Sequence, residues 1–180
     1  MATLRERQAP LKQQYQDDPE SGKIVMTVRS VTAGDDPTRC TIATTNANGE
    51  ILASWDAAAH PKAGGDGELA CSGDLLLASL AACQEITVRM VAEAMGVKLQ
   101  ELEVVVEGDM DFRGTMGIDP ETPVGFTAIR STVRLAADVP EERLAKLAAR
   151  AERYCVVGAT LREGTRLTTD ISARSVSGVA

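Results

Sequence analysis

The chain has 180 residues, of which 44% are hydrophobic and 25% are charged, so it can form one domain with a hydrophobic core. Its formal net charge of −7 and its aromatic content of 3% argue against nucleic-acid binding, which needs a basic groove and aromatic rings for base stacking. We therefore expect no nucleic-acid partner.

The sequence carries no obvious targeting or membrane segment. Its longest apolar run, 75–83, is shorter than the roughly 18 residues that cross a bilayer. Residues 1–20 lack the apolar stretch and cleavage site of a secretory signal. We expect a cytoplasmic protein with no membrane partner, in which the four cysteines are thiols rather than structural disulfides. They show no CxxC spacing of the kind that binds zinc.

The first 20 residues are polar and form a segment of their own. A short helix is possible at 11–15, but the sequence Asp-Asp-Pro at 17–19 would end it. We expect 1–20 to be a flexible N-terminal arm and 21–180 to be a single domain.

Two segments near the start of the domain are rich in Val, Ile and Thr, as strands are. They are 23–31 and 39–45, and the turn-forming residues 33–37 separate them. This pattern predicts a hairpin, which a third strand follows near Ile51.

The strongest helix signal follows a glycine-rich loop at 60–67. Ser72 is the expected N-cap, Asp74 is a favourable charge in the first turn, and Gly96 ends the helix. One face of this helix carries Leu76, Leu80, Cys83, Thr87 and Met90. Cys83 is therefore expected to face the interior.

Two later segments alternate apolar and polar residues, which is the period of a half-buried strand. They are 102–107 and 129–135. Between them, 113–125 contains two prolines and three glycines and is expected to be a long loop of the kind that often borders a site.

A second helix is predicted to open at Pro140, and its apolar stripe continues in register to Cys155. Cys155 is therefore also expected to face the core. A last strand is predicted at 166–171. The order of strands, helix, strands, helix and strand predicts an α+β fold with antiparallel sheet.

The sequence around each cysteine resembles a motif of the OsmC/Ohr family. Residues 79–83 (SLAAC), approached through the glycine-rich loop, resemble the first-cysteine motif, and 154–161 (YCVVGATL) resemble the second. The resemblance covers about residues 20–175 in element order. It implies an OsmC/Ohr-like antiparallel sheet with two main helices, in an intertwined homodimer with sites at the interface.

The resemblance also implies thiol peroxidase chemistry. Cys83 would attack an organic hydroperoxide and become a sulfenic acid, which Cys155 would resolve as a disulfide. An external dithiol reductant would reset the pair. No cofactor and no metal are expected. From periodicity alone, each cysteine could equally be a small buried hydrophobe.

The attacking species is a thiolate, which apolar surroundings disfavour, so a stabilising group is required. Cys83 lies about three turns into its own helix, beyond the reach of that helix's dipole, so we expect a cation. The family uses an arginine of the first hairpin, held by a glutamate shortly before the first cysteine. Arg39 is the candidate, and Arg29 is the alternative.

Two positions depart from the family's pattern. Gly73 stands ten residues before Cys83, where the family's hydroperoxidases carry the glutamate. Val156 stands where a proline often follows the second cysteine. Asp74 could partly replace the glutamate or could simply stabilise the first helical turn. Without that glutamate, we expect Arg39 to be mobile in the resting state.

Two further residues leave other readings open. Cys71, at the helix entrance, could be an alternative resolving thiol or a partly exposed loop cysteine. His60, the one histidine, could join Cys71, Cys83 and Cys155 in a zinc site. The leading hypothesis is a hydroperoxide reductase, with a non-catalytic or ligand-binding dimer of the same fold as its rival and a zinc-binding module third.

Overall fold

The computed structural model describes residues 2–173. The helices are α1 Leu4–Asp17, α2 Ser72–Ala94, α3 Phe112–Thr115, α4 Glu141–Tyr154 and α5 Val156–Glu163. The strands are β1 Val28–Thr32, β2 Arg39–Thr45, β3 Ile51–Ala58, β4 Leu99–Asp109 and β5 Ala128–Ala137. Pro19–Gly22 and Pro61–Ala63 each form a short 3-10 helix.

The strands form two antiparallel sheets, which confirms the predicted α+β class. The first sheet has the order β1-β2-β3, so the predicted hairpin and third strand are both present. The second sheet is the pair β4-β5, in which Val104 lies opposite Val133. The long loop between these two strands contains the short helix α3.

The core lies where α2 packs against β4 and against α4. Helix α4 is amphipathic, and its apolar stripe brings the fully buried Leu147 against α2. The buried cluster consists of Val88, Ala92, Val97, Leu147 and Ala151. This core fixes the relative positions of α2 and the end of α4, which are the two elements that carry Cys83 and Cys155.

Much apolar surface remains uncovered in the protomer. The three-stranded sheet exposes Val28, Val31, Ile51 and Leu52, and α2 exposes Leu76, Ile86 and Met90. Within residues 2–173, α2 is also the one helix whose length and composition would allow it to cross a membrane, with 22% of its apolar window buried. A core helix that is covered by other protein passes the same test, so this observation identifies an unpartnered face and no more.

The first turn of α2 differs from its prediction. The N-cap is Cys71 rather than Ser72. The Asp74 N–H donates to Cys71 Sγ at 3.5 Å, and Asp74 Oδ2 accepts the Cys71 N–H at 2.9 Å. This reciprocal pair is a capping box in which a thiol replaces the usual hydroxyl. The serine was the wrong choice because it lies one residue inside the helix.

The N-terminal segment contains a longer helix than the short one predicted at 11–15. Helix α1 begins at a capping box formed by Thr3 and Glu6. Its first turn is attached to α2, since the Leu4 N–H donates to Glu93 Oε1 at 2.9 Å. These local caps were visible in the sequence but were not used in the prediction.

The last predicted strand, 166–171, is not a strand in the protomer. Residues 165–173 have no regular secondary structure, and Leu167 and Ile171 are each 87% exposed. An alternating segment becomes a strand only when a neighbouring strand accepts its hydrogen bonds, and within residues 2–173 no strand pairs with 165–173.

Two glycines make room for the ring of Phe126 between α2 and β4. A Cβ atom at Gly108 would lie 2.5 Å from the ring, and one at Gly73 would lie 3.2 Å from it. A Cβ atom at Gly108 would also lie 3.3 Å from Leu77 Cδ1. Glycine at position 73 therefore has a packing role, and a larger residue there would displace Phe126.

We predict that Gly108→Ala lowers the free energy of unfolding by about 1–3 kcal/mol, because the added methyl overpacks the Phe126 ring. Gly125→Ala is the matched control, since a Cβ atom there meets nothing within 4 Å. Urea unfolding of both variants measures the difference. Equal stabilities would show that the ring moves aside at no cost.

Candidate functional site

The two cysteines with predicted roles lie together. Cys83 is half-buried in the middle of α2, and Cys155 is 1% exposed at the junction of α4 and α5. Both are free thiols, and they lie near enough to each other for Cys155 to lower the pKa of Cys83. The structure therefore assembles a dithiol from residues that are remote in sequence.

The junction between α4 and α5 sets this geometry. Helix α4 ends at Tyr154, Cys155 is extended with φ −73° and ψ 105°, and α5 begins at the next residue. Cys155 is the N-cap of α5, and its Sγ accepts the Gly158 N–H at 3.3 Å. The N-terminus of α5, with its unsatisfied N–H groups, consequently faces Cys83 on α2.

Opposing effects act on the Cys83 thiol. Partial burial raises its pKa, but the Val157 N–H, the Cys155 thiol, the Thr87 hydroxyl and the Val156 N–H all lower it. The net pKa lies below the ordinary value of a cysteine. Cys83 is therefore the better nucleophile of the pair at neutral pH.

The balance at Cys155 is the reverse. Burial raises its pKa, the Gly158 N–H lowers it, the neighbouring Cys83 raises it through a hydrogen bond and through charge, and Arg162 lowers it. The net pKa lies above the ordinary value. The two thiols are therefore electronically distinct, with negative charge favoured on Cys83.

The source of this stabilisation was missed in the sequence. The dipole of α2 was rightly dismissed, because Cys83 lies far from its first turn. The stabilising N–H groups belong to a different helix, α5, whose first residues approach Cys83. Val156 was noted only as a departure from proline. Its useful property is the N–H group that a proline would lack.

Arg39 lies at the start of β2, bound by carboxylates. It is hydrogen-bonded to Asp66 and, at 2.7 Å, to Glu68, and its Nε lies 3.7 Å from Asp36 Oδ2. Hydrogen bonds to Asp66 and Glu68 raise the pKa of Arg39. Three acidic groups thus contact Arg39 in the protomer, which argues against the mobility expected for it. Its predicted role toward Cys83 stays a prediction.

The acidic partners of Arg39 come from the glycine-rich loop, not from α2. Asp74 is occupied by the capping box, whose hydrogen bonds from Cys71 lower the pKa of that carboxyl. Of the two roles that the sequence left open for Asp74, the protomer shows the stabilisation of the first helical turn. The two acidic residues of the sequence Asp66-Gly67-Glu68 could have indicated partners for Arg39. Arg29, the alternative arginine, lies on exposed β1 opposite Ala43.

The remaining predicted site residues gather at the other end of α2. Cys71 caps the helix there, and the rise of an α-helix puts it roughly 18 Å from Cys83. The ring of His60 stacks on Phe112 with centroids 4.8 Å apart, and its Nδ1 accepts the Lys62 N–H at 3.1 Å. Within the described residues, no three His, Cys, Asp or Glu side chains are placed to hold a metal.

An open groove lies beside the cysteine pair, between α2, β5, α4 and α5. Its volume is about 710 Å³. Its walls are mainly apolar, and Leu80 and Gly158 bring it close to both cysteines. Phe126 separates this groove from a second one, which holds His60 and Cys71.

We predict that Val156→Pro raises the pKa of Cys83, because it removes one N–H group that stabilises the thiolate. Proline is tolerated at the first position of a helix, and the extended Cys155 is compatible with a following proline. Val156→Ala is the control, since it keeps the N–H. The pH profile of Cys83 alkylation measures both, and coincident profiles for the two variants would contradict the prediction.

Comparisons with known proteins agree with this architecture. A family model described as OsmC-like protein matches residues 65–170. An OsmC-like protein from Mycoplasma pneumoniae has a TM-score of 0.62 at 18% identity, covering 78% of this chain and 89% of its own. An organic hydroperoxide resistance protein OsmC from Legionella pneumophila has a TM-score of 0.55 at 20% identity, covering 77% and 90%.

A third similar structure is an OsmC-like protein of unknown function from Vibrio cholerae, with a TM-score of 0.57 at 12% identity, covering 77% of this chain and 94% of its own. The comparison with curated proteins found no match. At these identities the solved structures establish the fold, whereas the family model spans more than half of the sequence. The chain belongs to the OsmC-like protein family.

Proposed function

We propose that this protein is a thiol peroxidase that reduces organic hydroperoxides, with Cys83 as the peroxidatic residue and Cys155 as the resolving one. The observation that carries the proposal is the contact between two free thiols with opposite pKa shifts. A pair of buried cysteines that served only as packing residues would not need to be distinguished in this way.

The first step takes place at Cys83. Its thiolate attacks the distal, hydrogen-bearing oxygen of the hydroperoxide, an S–O bond forms, and the O–O bond breaks. The leaving alkoxide takes up a proton and departs as an alcohol, and Cys83 is left as a sulfenic acid. The N–H groups at the start of α5 hold the thiolate before this attack.

The second step takes place between the two sulfurs. The Cys155 thiolate attacks the sulfur of the Cys83 sulfenic acid, an S–S bond forms, and the S–O bond breaks. The released hydroxide takes up a proton and leaves as water. An external dithiol then reduces the disulfide and restores both thiols. The contact between Cys83 and Cys155 supports this step, because it requires little movement.

The walls of the adjacent groove support an organic rather than an inorganic peroxide. Apolar groups from α2, β5 and α4 line most of it, including Leu80, Val133 and Ala148. An alkyl or aryl substituent would bury apolar surface there, whereas hydrogen peroxide would gain nothing from that contact. The similarity to a protein named for organic hydroperoxide resistance points the same way.

We further propose a homodimer that works in the cytoplasm, where dithiol reductants are available. The exposed apolar face of α2 and the uncovered three-stranded sheet support the dimer, because such surfaces are normally covered in a soluble protein. Cys83 lies on α2 between the exposed residues Leu76 and Met90, so a second copy would exclude water from the thiol.

We predict that an equimolar alkyl hydroperoxide removes two thiols per chain from the wild type. Cys83→Ser should consume no peroxide, and Cys155→Ser should complete one turnover and stop at a sulfenic acid. Thiol titration and a sulfenic-acid trapping reagent measure these outcomes, with Cys40→Ser as a control that should behave as wild type. Labelling of Cys155 or Cys71 before Cys83 would reverse the assigned roles.

We predict that the protein sediments as a dimer at micromolar concentration. Ile86→Glu, on the exposed face of α2, should shift it toward the monomer because a charge would be buried in the interface. Glu50→Lys, in the exposed turn before β3, is the control. A wild type that sediments as a monomer would contradict the dimer and leave the thiol chemistry to be judged by its own test.

A further inference from the structure

Arg162 reaches the resolving cysteine from one turn along α5. A Cβ atom at Gly158 would lie 3.2 Å from Arg162 Nη1 and 3.2 Å from Cys155 Sγ. The two atoms are therefore no farther apart than twice that distance. Gly158 leaves this space open, because a Cβ atom at its position would be in tight contact with both the guanidinium and the sulfur.

The guanidinium is also held against α4. Arg162 Nη2 donates to the Glu152 carbonyl oxygen at 3.1 Å, and Nη1 lies 3.9 Å from Glu152 Oε1. Arg162 thus spans the junction that contains Cys155. Its side chain is 48% exposed and lines the groove beside the cysteine pair, so it is fixed at one end and open to water at the other.

We propose that Arg162 is a positioning residue for the resolving step, in which it stabilises the Cys155 thiolate as that sulfur attacks the oxidised Cys83. This inference rests on the proposed function. It assigns a cation to Cys155, whose sulfur also accepts the Gly158 N–H of α5.

The resolving step needs such a group because of where Cys155 lies. Cys155 is nearly inaccessible to water, and burial raises the pKa of its thiol. In the reduced protein, negative charge on Cys83 raises it further. Oxidation of Cys83 to a sulfenic acid removes that charge, since the sulfenic acid is neutral when protonated. The attraction of Arg162 for a Cys155 thiolate then acts without this opposition.

The charged and titratable groups around Cys155 are few in the described part of the chain. Helix α2 contributes Cys83, α4 contributes Glu152, and α5 contributes Arg162. The groove residues of β5 nearest this region, such as Ser131 and Val133, carry no charge. Glu152 competes with the sulfur for the guanidinium, so it should weaken the effect of Arg162.

The direct test is a titration of Cys155 by thiolate ultraviolet absorbance, in a variant whose other three cysteines are serine. Arg162→Gln should raise the pKa of Cys155, and Arg162→Lys should restore it in part because the charge is kept. Glu152→Gln should lower it. These opposite directions distinguish electrostatics from loss of the junction, which would reduce thermal stability and shift the titration in the same direction in both variants.

The same substitutions in the four-cysteine protein test the step itself. After rapid mixing with an alkyl hydroperoxide, formation of Cys83 sulfenic acid and formation of the disulfide are followed as separate phases, because Arg162 also lines the groove that the substrate would enter. Disulfide formation should be several-fold slower in Arg162→Gln at neutral pH, and the difference should close at alkaline pH.

Two results would overturn different claims. A Cys155 titration that Arg162→Gln and Glu152→Gln both leave unchanged would overturn the role of Arg162. Absence of Cys83 oxidation in the wild type would instead overturn the proposed function and, with it, the resolving step.

Discussion

The single extended residue between α4 and α5 is the constraint on which the thiol site depends. Because the helix is interrupted at Cys155, its sulfur becomes the N-cap of a new helix, and the first N–H groups of that helix face Cys83. A continuous helix through this point would satisfy those N–H groups internally and deprive the Cys83 thiolate of the backbone donors Val156 and Val157. The contact between the two sulfurs and the asymmetry of their pKa values both follow from this interruption.

The two cysteines of the site differ in the groups that stabilise negative charge on their sulfurs. Backbone N–H groups of α5 act on both sulfurs, from Val156 and Val157 on Cys83 and from Gly158 on Cys155, whereas the guanidinium of Arg162 acts on Cys155. Arg39 forms ion pairs with three carboxylates, which neutralise its positive charge in the protomer. Hydrogen-bond donors in a partly buried site remain effective at high salt, unlike a distant surface charge, which salt screens.

Packing explains why position 73 is a glycine rather than the family glutamate. Gly73 leaves space for the ring of Phe126, which lies between α2 and β4 and divides the surface into two grooves. A glutamate side chain at that position would compete with the ring for the same space. The acidic residues that hold Arg39 are instead supplied by the glycine-rich loop, at Asp66 and Glu68.

Much of the fold was determined by local sequence, because periodicity and turn chemistry act over a few residues. The hairpin, α2, the β4-β5 pair and α4 were all predictable for this reason, and the motifs around Cys83 and Cys155 indicated the family. The tertiary structure alone decided which groups meet: the two sulfurs, the N–H groups of α5 with Cys83, and Arg39 with its carboxylates. In the part of the chain that the structure describes, 166–171 has no partner strand, so that segment is not a strand. Hydrogen bonds and charge pairs between remote segments depend on how the elements pack, and a pattern read along the chain contains no such distances.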